Sequence, residues 1–133
     1  MHPMFSRASG LTEQIIAAAI EVHRDKGPDL NEAIYEWGYC RELELQKLPD
    51  VSQQSVKITD QGFSKEEPLR LDLLVNNGVW VEAKAVEKIL PIHKAQLRNY
   101  LKLLDVPIGL LINFNEIKRG DGISRLILSG ANR

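Results

Sequence analysis

The chain predicts an α/β fold, a central mixed β-sheet flanked by helices in the order α-α-β-β-β-α-β-β. Three observations carry this reading. Residues 69–84 hold two Val- and Leu-rich runs around Asn76-Asn77-Gly78, the pattern of a β-hairpin. Residues 79–114 then run strand, helix, strand, and the second strand, Ile108-Gly109-Leu110-Leu111-Ile112-Asn113-Phe114, is almost continuously apolar. Such a run suits a strand covered on both faces and paired in parallel through a helical crossover. Two helical patterns precede the hairpin, so helices are available for both faces of the sheet.

Residues 1–10 read as a frayed lead-in to a single domain over 11–128, with 129–133 as a loose tail. Thr12 offers an N-cap, and Ile15, Ile16, Ala19, Ile20, Val22 and His23 give one broad apolar side to a helix ending at Lys26 before Gly27-Pro28. His23 reads as a packed or capping histidine, because no second His or Cys stands at a ligand spacing. Asp29-Leu30-Asn31-Glu32 opens a second helix to about Gln46, with Ile34, Trp37, Cys40 or Arg41, and Leu45 as a loose stripe. Asp29 and Glu32 have the spacing of a capping box, which would leave Glu32 only a backbone partner. The alternative, an acidic side chain aimed at the hairpin, is weaker on the residues alone.

Val51 to Thr59 alternates as a strand, Asp60-Gln61-Gly62 turns it, and Phe63 to Pro68 reads as a charged connector. Pro91 sits where the first turn of a helix tolerates it, and a third helix follows to about Leu104 with Leu97, Leu101 and Leu104 as its core stripe. His93, Gln96 and Tyr100 share another stripe, equally consistent with a solvated face and with a face turned to the hairpin. Lys118-Arg119-Gly120-Asp121-Gly122 is a basic turn, and Ile123 to Leu128 makes the last strand.

With 133 residues, 44% of them hydrophobic and 26% charged, the chain has the composition of one globular domain. Cys40 is its only cysteine, which leaves no internal disulfide and no cysteine cluster for zinc. No signal-like apolar run opens the sequence and no segment is apolar enough to span a bilayer, so a cytoplasmic protein without a membrane is expected. A net charge of −1 gives no global pull toward nucleic acid. Local charge must supply it, and basic residues gather at Lys84, Lys88, Lys94, Arg98 and Lys102.

The hairpin register decides the chemistry, because a slip of one residue reverses every face. A two-residue turn at Asn77-Gly78 mixes charged and apolar side chains on both faces. A three-residue loop, with Gly78 in the left-handed position, pairs Val75 with Val79, Leu73 with Val81 and Leu71 with Ala83, and makes one face wholly apolar. The other face then sets Leu74 opposite Trp80, Asp72 opposite Glu82 and Arg70 opposite Lys84. Two carboxylates so opposed repel. A shared proton, a cation from Arg70 or Lys84, or a metal ion bound by both would each relieve that.

Asp72 followed by Glu82-Ala83-Lys84 resembles the motif of the PD-(D/E)XK nuclease superfamily, whose restriction-endonuclease-like core needs the α-β-β-β-α-β order read above. Six blocks in order, Leu11-Thr12-Glu13, Glu32-Ala33-Ile34-Tyr35, Arg70 to Val75, Glu82 to Glu87, Pro91 to Leu97 and Gly109 to Phe114, resemble the bacterial GxxExxY proteins of that superfamily. One departure stands out: the glycine opening that family's naming motif is Asp29 here, ahead of Glu32 and Tyr35. The resemblance implies a Mg²⁺ or Mn²⁺ ion held by Asp72, Glu82 and the Ala83 carbonyl, with Lys84 beside the attacking water and Glu32 as a further acidic residue. Gln96 and Tyr100 also resemble the Gln-x-x-x-Tyr motif of RecB-type exonucleases, and together with His93 and Arg70 are expected to position substrate. It implies a nuclease on nucleic acid, DNA ahead of RNA, and allows a homodimer although no residue marks an interface. The rival readings are a non-catalytic nucleic-acid-binding or protein-interaction module on the same fold, and a buried ion-pair cluster of Asp72, Glu82, Arg70 and Lys84 with no further role.

Overall fold

A computed structural model describes residues 1–48, 51–60, 63–117 and 122–133, with the backbone alone for Glu32 and for 52–72. The basic turn at 118–121 lies outside the described residues. Helices α1 (Phe5–Lys26) and α2 (Glu32–Leu45) come first, then strands β1 (Val51–Asp60), β2 (Phe63–Val75) and β3 (Val79–Lys84), helix α3 (Pro91–Leu104), and strands β4 (Ile108–Asn113) and β5 (Ile123–Ile127). The five strands form one sheet in chain order, β1-β2-β3-β4-β5. Among the described residues only the β3–β4 pair is parallel, the relation expected of a strand-helix-strand passage.

The sheet separates two apolar layers. Val79, Val81 and Ala83 of β3 and Ile108, Leu110 and Ile112 of β4 pack with α1 and α2 on one face. Trp80 and Leu111, one step out of phase, pack with Leu97 and Leu101 of α3 on the other. Both strands are therefore buried on both sides, which is why β4 reads as an unbroken apolar run. Gly109 lets α3 come close, since a Cβ there would stand 3.1 Å from the side chains of Leu97 and Leu101.

The hairpin has the register of the three-residue loop: Val75 pairs with Val79, Leu73 with Val81, Leu74 with Trp80 and Asp72 with Glu82. Its turn differs in detail. Asn76 (φ 52°) and Asn77 (φ 57°) take the left-handed positions, and the Gly78 N–H donates to the Val75 carbonyl at 3.1 Å. Two successive positive φ values match the twist of the strands, and asparagine tolerates them. Gly78 is needed instead for space, because a Cβ there would stand 2.9 Å from Cβ of Ala8 in α1.

Several expectations are corrected. The segment Phe63 to Pro68, read as a connector, is the first half of β2 and pairs along β1. Gln53 pairs with Leu73 but Ser55 with Pro68, so β2 carries extra residues between Pro68 and Leu73, the stretch that includes Asp72, an irregularity of the kind that accommodates proline in a strand. Helix α1 begins at Phe5, not at Thr12, whose hydroxyl donates to the Ser9 carbonyl within the helix. The lead-in is anchored rather than frayed. His2 donates its backbone N–H to the Ala131 carbonyl, its Nδ1 accepts from Met4 N–H, and Ala8 is buried. The tail is docked by the same contact, with Ala131 buried. In α2 the buried side chains are Tyr35, Tyr39 and Leu43, whereas Ile34, Trp37 and Leu45 are exposed. The two tyrosines win the core because their hydroxyls find acceptors there, Tyr35 at the Gly27 carbonyl and Tyr39 at the Ile15 carbonyl. The cap of α2 is Asn31, whose Oδ1 accepts from Ile34 N–H at 3.1 Å; it is not Asp29, so no Asp29–Glu32 capping box forms.

Asp29 instead holds a left-handed backbone, φ 69°, and donates its N–H to Asn115 Oδ1 at 3.0 Å. That conformation costs a residue with a Cβ about 1 kcal/mol. Among the described residues no helix is long and apolar enough to cross a membrane. Asp29→Gly is therefore expected to stabilise the fold by up to about 1 kcal/mol, whereas Gly78→Ala, which forces β2–β3 and α1 apart, should cost about 1–3 kcal/mol. Urea midpoints of the two variants, shifting in opposite directions at unchanged m-value, check both.

Candidate active site

Strand β3 leaves the apolar layer as it approaches its C-terminal end. On the face that packs against α3 the sequence runs Trp80, Glu82, Lys84, so a carboxylate and an ammonium follow a buried indole at the period of a strand. Glu82 is only 3% exposed and stands between Asp72 on β2 and Leu111 on β4 in the ladder. Its Oε1 lies 3.8 Å from Lys84 Nζ, close enough for an ion pair and too far for a hydrogen bond. Its Oε2 is buried and has no partner among the described residues, and the same is true of Trp80 Nε1 two positions earlier.

Burial pushes the Glu82 carboxyl above its usual range, and the nearby Lys84 ammonium only partly pulls it back. An unpartnered buried carboxylate oxygen is costly, so such groups usually have a ligand or a proton. The residue opposite it in the register is Asp72, and directly opposed positions in an antiparallel pair have Cβ atoms about 4.5–5.5 Å apart. The side chains of Asp72, Arg70 and Glu32 lie outside the described residues. Among those described, no three His, Cys, Asp or Glu side chains cluster as a metal site.

Helix α3 overhangs this face. Gln96 Nε2 donates to the Tyr100 hydroxyl at 2.9 Å, and the Tyr100 ring lies 5.7 Å from that of Trp80. The pair thus lies over the strand that carries Glu82. His93 has a different position, for its Nδ1 accepts the Leu90 N–H at 2.9 Å while the His93 N–H donates to the Leu90 carbonyl at 3.0 Å. It caps the helix start through its ring, as a side chain at the third helical position does in a capping box.

A polar clasp that no sequence period announces closes the end of β3. Asn113, fully buried and paired with Lys84 in the ladder, accepts from Val86 N–H at 3.1 Å and donates to the Val86 carbonyl at 2.8 Å. Asn115 donates to that carbonyl at 3.3 Å and accepts from Asp29, which ties the loop before α2 to the strand end where Lys84 stands. Phe114 between them stacks on Tyr35 with centroids 4.9 Å apart, and its carbonyl receives the His23 Nδ1–H. The signal was there, two asparagines closing an otherwise apolar strand. The loop that leads into α2 is thereby tied to the carboxyl edge of the sheet, where open α/β sheets place their sites.

A mixed sheet between helical layers, with an acidic and a basic side chain two apart on the strand after a hairpin, defines a restriction-endonuclease-like α/β domain. Comparison with protein families matches residues 9–126 to the PD-(D/E)XK nuclease superfamily. The chain belongs to that superfamily. No curated protein and no solved structure matches it.

The raised carboxyl has a thermodynamic consequence. Folded Glu82 keeps its proton to higher pH than the unfolded residue, so above the ordinary glutamate range, about 4.3, the native state binds more protons and stability falls as pH rises toward the raised value. In chelator, urea unfolding of wild type should show this loss and Glu82→Gln should lack it; parallel profiles would mean that the carboxyl is solvated.

Proposed function

We propose that the protein is a divalent-metal-dependent nuclease of the GxxExxY type, hydrolysing phosphodiester bonds in nucleic acid, DNA ahead of RNA. The observation that carries this reading is the buried Oε2 of Glu82, which has no partner among the described residues, opposite Asp72 in the ladder and with Lys84 Nζ 3.8 Å from its other oxygen. A hard dication fits that donor set better than a proton shared by two carboxyls, because it relieves both the repulsion and the missing partner. Asp72, Glu82 and the Ala83 carbonyl would hold Mg²⁺ or Mn²⁺. When bound, such an ion lowers the pKa of a water and stabilises negative charge on phosphoryl oxygens.

The chain's own groups supply the rest. The Lys84 ammonium, partly exposed at the mouth, orients the attacking water and offsets charge as it develops on the phosphoryl group. Gln96 and Tyr100, already hydrogen-bonded to each other above Trp80, hold the substrate in line. Glu32 contributes a further acidic group from the start of α2. Arg70 contacts the backbone of the substrate, and the capping role of His93 leaves its Nε2 for the same purpose. Asp29, in place of the motif glycine, retains the left-handed backbone that glycine adopts freely, which supports the same local path into Glu32.

Cleavage of labelled single-stranded, duplex and branched DNA and of RNA with Mg²⁺ or Mn²⁺ tests the reading. Wild type should cut at least one of them, and Asp72→Ala and Lys84→Ala should lose activity by about 10²-fold or more. Equal activity in the variants would end it. A second readout needs no substrate: Mn²⁺ should raise the melting temperature of wild type, more at pH 8 than at pH 5 because the ligands must be deprotonated, and leave Asp72→Ala and Glu82→Gln unmoved.

A further inference from the structure

The net charge of −1 conceals a division between the two helical layers. Helix α2 carries Glu32, Glu36, Glu42 and Glu44 against Arg41, whereas α3 contains no acidic residue. On α3, Lys94, Arg98 and Lys102 recur every fourth residue and so form a stripe with about 6 Å between steps. The stripe lies on the shoulder of α3 opposite Gln96 and Tyr100, toward β5. Among the described residues, neither these three nor Lys88 just before the helix takes part in an ion pair.

Two hollows follow that shoulder along the seam between α3 and β5. One, about 210 Å³, is lined by Lys88, Ile89, Lys94, Glu116 and Ser124. The other, about 590 Å³, is lined by Arg98, Asn99, Lys102 and the Ile127–Ser129 segment, among others. Cations strung along such a seam attract a polyanion of regular charge spacing. One row of cations matches the single line of phosphates of one strand.

We propose that the α3–β5 seam is a track for a single nucleic-acid strand, entered at Lys88 and Lys94 beside the start of α3 and followed past Arg98 to Lys102. The track rests on the nuclease reading for its purpose, carrying the strand on from the catalytic end of β3, but not for its existence. Its cations grip phosphates, and Ile89, Ile127 and Leu128 offer apolar surface to sugars and bases. Glu116 opposes the strand at the entrance.

Anisotropy of a labelled oligothymidylate, titrated in chelator at several salt concentrations, tests this. Replacing Lys94, Arg98 and Lys102 together by Gln should weaken binding and make the slope of log K against log salt shallower by about 2, since each single-strand phosphate contact contributes about 0.7. Glu116→Gln should tighten binding, and Lys26→Gln/Arg41→Gln on the opposite layer should leave it unchanged. An unaltered slope in the triple variant overturns the track, as does an equal effect of all these changes on duplex or on polyglutamate, which would make the seam a duplex or acidic-protein surface. The two readings fail separately. If wild type cleaves nothing yet the slope falls, the track stands without the nuclease. If wild type cleaves and the slope holds, the nuclease stands without the track.

Discussion

The structure turns on a carboxylate kept out of water. Glu82 belongs to a strand buried on both faces, and the ladder fixes Asp72 as its cross-strand neighbour. A chain selected only for stability would fill that position with Val or Leu, since a well-packed apolar residue is often as stable as a buried charge and needs no partner. The penalty is tolerable if a ligand supplies what the described residues leave unmet at Oε2. On the proposed reading fold and chemistry are one feature, a hydrophobic sheet that buries the Glu82 carboxyl and a dication that gives it a partner.

The surroundings make that position rigid. Asn113 and Asn115 fasten the segment after Lys84 with half-buried hydrogen bonds, and Asn115 holds the loop before α2 with an exposed one. Tyr35 stacks on Phe114 between them and donates to the Gly27 carbonyl, which joins the α1–α2 connection to the end of β4. A site at the carboxyl edge of the sheet thereby inherits the stiffness of the core.

Much of this was legible in the sequence where one physical rule dominated. Alternation in β2 and β3 set the hairpin register because only one register made an apolar face, and the period of two put Glu82 and Lys84 together. The apolar run of β4 announced a strand covered on both sides. Legibility failed where tertiary contacts chose between local options of similar energy. Asn76 and Asn77 take the positive φ angles, while Gly78 serves the close approach of Ala8. Helix α2 has apolar residues all round, and hydroxyl partners on other elements picked Tyr35 and Tyr39 over Ile34 and Trp37 for the core. Phe63 to Pro68 carries strand geometry against its composition because β1 pairs with it. The asparagine clasp needed partners far apart in sequence, which no periodicity reveals.

The central claim is that Asp72 and Glu82 share one pocket and one dication. Crystals grown with Mn²⁺ and measured at the manganese absorption edge test it most directly. An anomalous peak is expected between the two carboxylates, with the Ala83 carbonyl as a third ligand and Lys84 Nζ adjacent. Asp72 turned to the face of the sheet that packs against α1, with Glu82 protonated and no peak between them, would contradict it.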